Sequence, residues 1–232
     1  MDRDSPDISL PIGPPGKEEA FILSSMKCVH WPSRHTLLVA DLHLGHASTY
    51  HAFGVPLPAA QLGEELARLD ACIARYQPER IVVLGDFLHA AAGLTPALRE
   101  RVETWRPTFP GRVVVVLGNH DRALRSVATA WGLEVAGDRL EEGPFVLKHF
   151  AEPEPDRFVW CGHEHPATFI GGRADGIRLP CFALTPVMAI LPAFSSMASG
   201  SRRGVPDGAR LFAAAPGRIV VVPGVQRSAS HA

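Results

Sequence analysis

Three apolar runs, each four residues long and each ending in polar groups, set the pattern of the first half of the chain. Leu37-Leu38-Val39-Ala40 runs into Asp41-Leu42-His43, and Ile81-Val82-Val83-Leu84 into Gly85-Asp86 with His89 close behind. Val113-Val114-Val115-Val116 runs into Leu117-Gly118-Asn119-His120-Asp121. Continuous aliphatic runs without alternation predict strands of a parallel sheet, buried on both faces. Between them the apolar period lengthens. Leu62, Leu66, Leu69 and Ile73 mark a helix over 58–76 that opens at Pro58, and a second covers Pro96–Trp105 with Thr95 as its N-cap. A third helix is expected over 123–131. This alternation is that of right-handed βαβ crossovers. Ahead of it, Phe21-Ile22-Leu23 and Cys28-Val29-His30-Trp31 read as a hairpin, with Pro32-Ser33-Arg34-His35 as the turn into the first core strand.

Beyond Gly132 the pattern becomes short and closely spaced. Strand candidates lie at 133–135, 145–148, 158–161, 168–170, 181–184, 188–191, 211–214 and 219–222, parted by turn signals such as Gly171-Gly172 and Pro216-Gly217. They predict a second, mostly antiparallel sheet. The fold class is therefore α/β, with two packed, mixed sheets flanked by helices. Residues 1–18 read as a loose N-terminal tail, 19–225 as one domain, 226–232 as a polar C-terminal tail, and 195–208 as a mobile loop.

Composition narrows the function classes. Hydrophobic residues at 46% and charged residues at 20% describe an ordinary globular chain. A formal net charge of -1 gives no global attraction for nucleic acid or anionic lipid, which excludes a passive DNA coat but not an enzyme that holds phosphate through metal ions. The first 17 residues contain no apolar segment of the signal-peptide kind, and no run approaches a membrane span, so a cytoplasmic location without membrane contact is expected. Cys28, Cys72, Cys161 and Cys181 show no CxxC spacing and read as buried thiols in a reducing compartment.

Metal-capable residues occur in five groups: Asp41 and His43, Asp86, Asn119, His149, and His163 with His165. Each follows a predicted strand, at the end where α/β sheets collect ligands. Taken singly, His43 is a structural histidine, Asp41 and Asp86 are caps, Asn119 is a turn former and Asp121 an N-cap. Taken together they are a mixed imidazole and carboxylate set suited to borderline divalent ions. A carboxylate shared by two such ions clamps the attacking and leaving oxygens of a displacement, the chemistry that hydrolysis at phosphorus needs.

Asp41-x-His43, Gly85-Asp86-x-x-His89, Gly118-Asn119-His120-Asp121, His149 after a strand and Gly162-His163-x-His165, in that order, resemble the calcineurin-like metallophosphoesterases. The resemblance implies an αββα sandwich with a dinuclear site at the sheet edge. One ion would take Asp41, His43, Asp86 and His165; the other would take Asp86, Asn119, His149 and His163, with Asp86 bridging. It implies His120 as the catalytic histidine that contacts phosphate and protonates the leaving oxygen, Asp121 as the residue orienting its ring, and His89 as a partner behind the ligands. A wider match is similar to the bacterial ligase-associated DNA damage response endonucleases. It comprises Asp41-Leu42-His43-Leu44-Gly45 to Gly54 and Pro58, then His149, Gly162-His163-Glu164-His165-Pro166, Leu179-Pro180-Cys181-Phe182 and Leu191-Pro192-Ala193-Phe194. That similarity implies a phosphodiesterase or endonuclease acting on DNA, with two divalent ions, Mn²⁺ ahead of Fe²⁺ or Zn²⁺. It implies a DNA ligase and a helicase as partners, and a dimer as one oligomeric option. His46 stands where that branch commonly has Lys; with Arg202 and Arg203 it is a candidate substrate contact. Two alternatives remain: a phosphomonoesterase or small cyclic-nucleotide phosphodiesterase without a DNA role, and a catalytically silent scaffold.

Overall fold

In the computed structural model, which describes residues 6–55, 64–171, 176–198 and 200–223, two sheets pack face to face. The first has seven strands in chain order: β1 (Asp7–Ile12), β2 (Glu19–Ser24), β3 (Val29–Trp31), β4 (Thr36–Val39), β5 (Arg80–Leu84), β6 (Arg112–Val116) and β7 (Glu134–Val135). Pairing is antiparallel from β1 to β4 and parallel from β4 to β7. The three apolar runs are β4, β5 and β6, adjacent and in step: Val39 lies level with Val83, and Val83 with Val115. Their carboxyl ends therefore emerge side by side.

Helices α1 (His46–Ala52) and α2 (Glu64–Tyr76) join β4 to β5, and α3 (Pro96–Trp105) joins β5 to β6. Leu66, Leu69 and Cys72 of α2 and Leu98, Val102 and Trp105 of α3 pack on Leu37, Val39, Ile81, Val83, Val113 and Val115. The intervening residues Leu38, Val82, Leu84, Val114 and Val116 face the second sheet. Both faces are thus covered, which is why these strands show no alternation. Thr95 caps α3, its hydroxyl accepting from the Leu98 N–H at 3.2 Å.

The second sheet holds β8 (Arg139–Glu142), β9 (Phe145–Lys148), β10 (Phe158–Cys161), β11 (Ala167–Ile170), β12 (Ile177–Leu184), β13 (Met188–Ile190), β14 (Arg210–Ala215) and β15 (Arg218–Val222). Its order is β15-β14-β12-β13-β10-β9-β8, with β11 paired to β12. It is antiparallel except at β9–β10 and β10–β13. Phe21, Trp31, Phe145 and Trp160 meet where the sheets face each other, Phe21 lying 4.9 Å from Trp31 and 4.7 Å from Trp160 between ring centres. On the outer face of this sheet Val146, Val159, Cys161, Cys181 and Ala183 are buried under Ile170, Leu179, Val205 and Ala209. Strands and loops cover that face; among the described residues no α-helix packs there.

Five expectations change. The 133–135 strand, expected in the second sheet, is β7 and pairs parallel to β6 at the edge of the first. The segment read as a tail holds β1, whose alternating Ile8, Leu10 and Ile12 pair along β2, while Asp7 forms an ion pair with Arg75 of α2 at 2.7 Å. Over 123–131 the chain forms a 3-10 helix, Asp121–Ser126, followed by turns; Val127, Thr129 and Trp131 are weak helix formers. The 195–208 stretch is tied down: Ser195 N–H donates to the Asp41 carbonyl at 3.1 Å, and Ser201 N–H to the His165 carbonyl at 2.8 Å. A strand missed from the sequence, β8, completes one edge of the second sheet. The opening of the 58–76 helix and the expected C-terminal tail lie outside the described residues. No helix among the described residues is long and apolar enough to cross a membrane, and all four cysteines are buried and free.

Candidate metal centre

The donor-bearing turns after β4, β5 and β10 leave their strands by the same device. Asp41 (φ 55°), His43 (49°), Asp86 (51°), His163 (67°) and His165 (44°) are left-handed, five of the nine described non-glycine residues with positive φ. A residue with a β-carbon adopts this conformation at a cost of about 1–2 kcal/mol. Such strain gathers where the surroundings over-determine it, commonly at functional sites. Here backbone bonds continue past the strand ends and fix the turns: Asp41 N–H to the Gly85 carbonyl (3.1 Å), His43 N–H to the Asp86 carbonyl (2.9 Å), and Gly162 N–H to the His149 carbonyl (3.1 Å). Two glycines allow close approach. A β-carbon at Gly85 would stand 2.1 Å from His149 Nδ1, and one at Gly118 2.1 Å from Asp86 Oδ1.

The turns converge on two carboxylates, Asp41 (0% exposed) and Asp86 (1%), whose only ion-pair neighbours among the described residues are histidines. Burial raises the Asp86 pKa against the pull of His149 and the His120 N–H, and the Asp41 charge pushes the same way. Buried carboxylates without Lys or Arg partners call for a cation. Two donor sets answer: Asp41, His43 and His165, and Asp86, His149 and His163, the ligand atoms of each set lying within 4.8 Å of one another. Burial foremost, with His165, His89, His120 and His46 around it, pushes the His43 imidazole down to about 2 and keeps it neutral, as a ligand must be.

His149 shows the fit most directly. Its Nδ1–H donates to the Leu84 carbonyl at 3.0 Å, which leaves Nε2 with a lone pair. That lone pair faces Asn119 Oδ1 at 3.0 Å, Asp86 Oδ2 at 3.5 Å and His163 Nδ1 at 3.1 Å. Acceptors aimed at one point describe a cation site. Among the described residues His165 Nε2 is buried without a hydrogen-bond partner, 3.4 Å from Asp41 Oδ1. All seven sequence-derived ligands, Asp41, His43, Asp86, Asn119, His149, His163 and His165, are brought to this one place.

His120 sits at its mouth, its side chain 39% exposed, with Nε2 3.9 Å from Asp86 Oδ2. Its backbone N–H donates to Asp86 Oδ1 at 2.9 Å. The ring is oriented by the His89 carbonyl, which accepts from Nδ1 at 2.5 Å, and not by Asp121. Asp121 is buried and accepts from the Leu88 and Gly118 N–H groups, each at 2.9 Å, so it ties the β6 turn to the β5 turn. His89 packs against His43: its Nδ1 is 3.4 Å from that of His43, and burial, His46 and His120 push its pKa down to about 4. His46, at the start of α1, packs on His89 with ring centres 3.8 Å apart and ring planes tilted by 37°, and among the described residues its Nδ1 is buried without a hydrogen-bond partner. Arg202 and Arg203 lie exposed on a 3-10 turn beside the Glu164 backbone and form no ion pair among the described residues.

Two contributors escaped the sequence reading. Phe150, 43% exposed, forms a rim beside the site with its ring 4.7 Å from His163 and 4.9 Å from His149. Its signal was adjacency to His149. The 194–195 segment pairs with the end of β4, Phe194 N–H donating to the Ala40 carbonyl at 2.8 Å; nothing local in the sequence marks that contact.

The family model described as calcineurin-like phosphoesterase matches residues 34–160. Among solved structures, the nuclease MPE of Pseudomonas putida is similar over 93% of this chain and 100% of its own, with 34% identity and a TM-score of 0.76. Yfce, a phosphoesterase from E. coli, is 16% identical over 80% of this chain and 96% of its own, with a TM-score of 0.40. A protein of unknown function from Aquifex aeolicus is 20% identical over 56% of this chain and 78% of its own, with a TM-score of 0.38. No curated protein sequence matches the chain.

Proposed function

The chain belongs to the calcineurin-like phosphoesterase family, and from that premise we propose that it is a metal-dependent phosphodiesterase that cleaves nucleic-acid strands internally, in the service of DNA repair. The observation that carries the reading is two neighbouring donor sets, Asp41, His43 and His165 beside Asp86, His149 and His163, with the Nε2 atoms of His43 and His120 each 3.9 Å from Asp86 Oδ2. The similarity to a nuclease over nearly the whole chain favours a diester of nucleic acid over a small monoester.

Asp41, His43, Asp86 and His165 would hold one divalent ion, and Asp86, Asn119, His149 and His163 a second, with Mn²⁺ preferred to Fe²⁺ or Zn²⁺. Ions so held supply Lewis acidity at phosphorus and an acidified water. The chain supplies position and protons. His120, held through its Nδ1–H, presents Nε2 at the site mouth, where its protonated form gives a proton to the departing alkoxide. His89 and His46 back that ring and the His43 ring, which keeps both from turning. A DNA ligase and a helicase are the proposed partners. Four free, buried thiols support a reducing, cytoplasmic setting.

The test is hydrolysis of bis-p-nitrophenyl phosphate against p-nitrophenyl phosphate by metal-stripped protein to which Mn²⁺ is returned. Mn²⁺-dependent turnover that favours the diester is expected. A preference for the monoester would remove the nuclease and leave a phosphatase.

A further inference from the structure

Beside the metal centre lies a second cavity, about 190 Å³ in volume, walled by His165 on one side and by Lys27, Arg178, Ser195 and Ser196 on the others. Such a volume holds several waters, or one phosphoryl group with its hydration. Its charged lining is one-sided. Lys27 and Arg178 border it, and no carboxylate does among the described residues. Arg178 is exposed on β12 and forms no ion pair among the described residues. Lys27 is left-handed (φ 65°) in the turn between β2 and β3, and its Nζ donates to the Ser195 carbonyl at 3.0 Å. The same Ser195 donates its N–H to the Asp41 carbonyl, so the cavity wall is bonded directly to the backbone of the metal centre.

We propose that this cavity is a phosphate subsite, which seats the phosphate next to the scissile one on a nucleic-acid strand. The proposal rests on the phosphodiesterase reading for its substrate, while the cavity and its cations stand by themselves. A strand laid across His120 and the donor sets carries a further phosphate at each side, and the side past His165 meets Lys27 and Arg178. Arg178 offers a planar fork for two phosphate oxygens, and Lys27 a point charge. The surroundings leave Lys27 short of compensation: burial and Arg68 of α2 oppose its charge, Glu65 and Glu64 of α2 favour it only in part, and its pKa falls from 10.5 to about 7. An anion in the cavity restores that charge. These contacts read no base, so they set the register of the strand and not its sequence.

Two measurements test the subsite. In the first, metal-stripped full-length protein is titrated into a fluorescein-labelled hexathymidylate, and anisotropy gives the affinity of wild type, Arg178→Gln and Lys27→Met, with inorganic phosphate as competitor. Each substitution should weaken binding about five- to tenfold, and phosphate should compete less well for the variants than for wild type. Equal affinity in all three proteins, or no binding by wild type at millimolar protein, overturns the proposal. If calorimetry shows inorganic phosphate binding to wild type and not to Arg178→Gln or Lys27→Met while the oligonucleotide does not bind, the cavity takes free phosphate and the strand assignment fails. In the second, the Mn²⁺ enzyme is assayed on the oligonucleotide and on bis-p-nitrophenyl phosphate, which has a single phosphorus. The ratio of the two kcat/KM values should fall about tenfold in Arg178→Gln, through KM. An unchanged ratio means that Arg178 acts only on the fold. Failure of wild type to cleave either diester counts against the phosphodiesterase reading alone, because the anisotropy measurement still decides the subsite.

Discussion

At His120 a backbone carbonyl does what the sequence assigned to a carboxylate. The His89 carbonyl fixes the Nδ1–H tautomer, and Asp121 spends both oxygens on the N–H groups of Leu88 and Gly118. The two residues should therefore fail differently. His120→Ala should lower turnover on the diester by roughly 10²-fold or more with its metal content unchanged by elemental analysis. Asp121→Ala should leave two buried N–H groups unpaired and cost about 1–3 kcal/mol of stability in urea unfolding for each group left unsatisfied. A variant that unfolds at the wild-type urea concentration yet shows a displaced kcat–pH profile would return Asp121 to the orienting role. Gly85 fails in a third way. At φ 83° and with His149 Nδ1 2.1 Å from where its β-carbon would stand, Gly85→Ala should displace the His149 ring and release metal at chelator concentrations that wild type withstands.

Elements read from the sequence divide by how local their cause is. β4, β5 and β6 were legible because burial on both faces leaves an unbroken aliphatic run, and α3 because Thr95, Pro96 and its apolar stripe lie within one segment. Thr95→Ala should cost about 1 kcal/mol in thermal or urea unfolding, as loss of an N-cap does. β1 was hidden by its setting: Pro6, Pro11, Gly13 and Pro14 dress the segment as a tail, and an edge strand tolerates Pro11. The chain over 123–131 was read as a helix capped by Asp121, since only the tertiary bond to Leu88 shows what Asp121 does. The donor residues were legible as types in order. Their left-handed backbone, and the Leu84 carbonyl that sets the His149 tautomer, belong to the packed chain and have no signature in sequence.

For the molecule as a whole, the metal centre and Lys27 pull stability in identifiable directions. Two buried carboxylates without Lys or Arg partners among the described residues make the cation-free fold the weaker one. Mn²⁺ at a hundred times its dissociation constant should add about 2.7 kcal/mol, seen as a rise in Tm that a chelator reverses. Lys27 works through protons. Its folded pKa, about 7, lies below the unfolded value of 10.5, so between these limits the unfolded chain binds the extra proton and stability increases with pH. Burial and Arg68 of α2 oppose the charge, and Glu64 and Glu65 favour it; the Ser195 carbonyl accepts from Nζ, and Arg178 lines the same cavity. Urea unfolding from pH 7 to 9 should show wild type gaining on Lys27→Met's own baseline slope as pH rises; parallel slopes would mean that Lys27 keeps its charge in the fold.

The seven donors are spread from Asp41 to His165, and they leave both sheets. A chain still on the ribosome and ending before β9 would carry Asp41, His43, Asp86 and Asn119, enough to tempt an ion but not to complete either set. Metal uptake at full strength must await synthesis of the second sheet and its docking on the first. A loaded centre would therefore report a chain made at least through His165 with its two sheets docked, because the order in which the donors are made follows the order in which the sheets form.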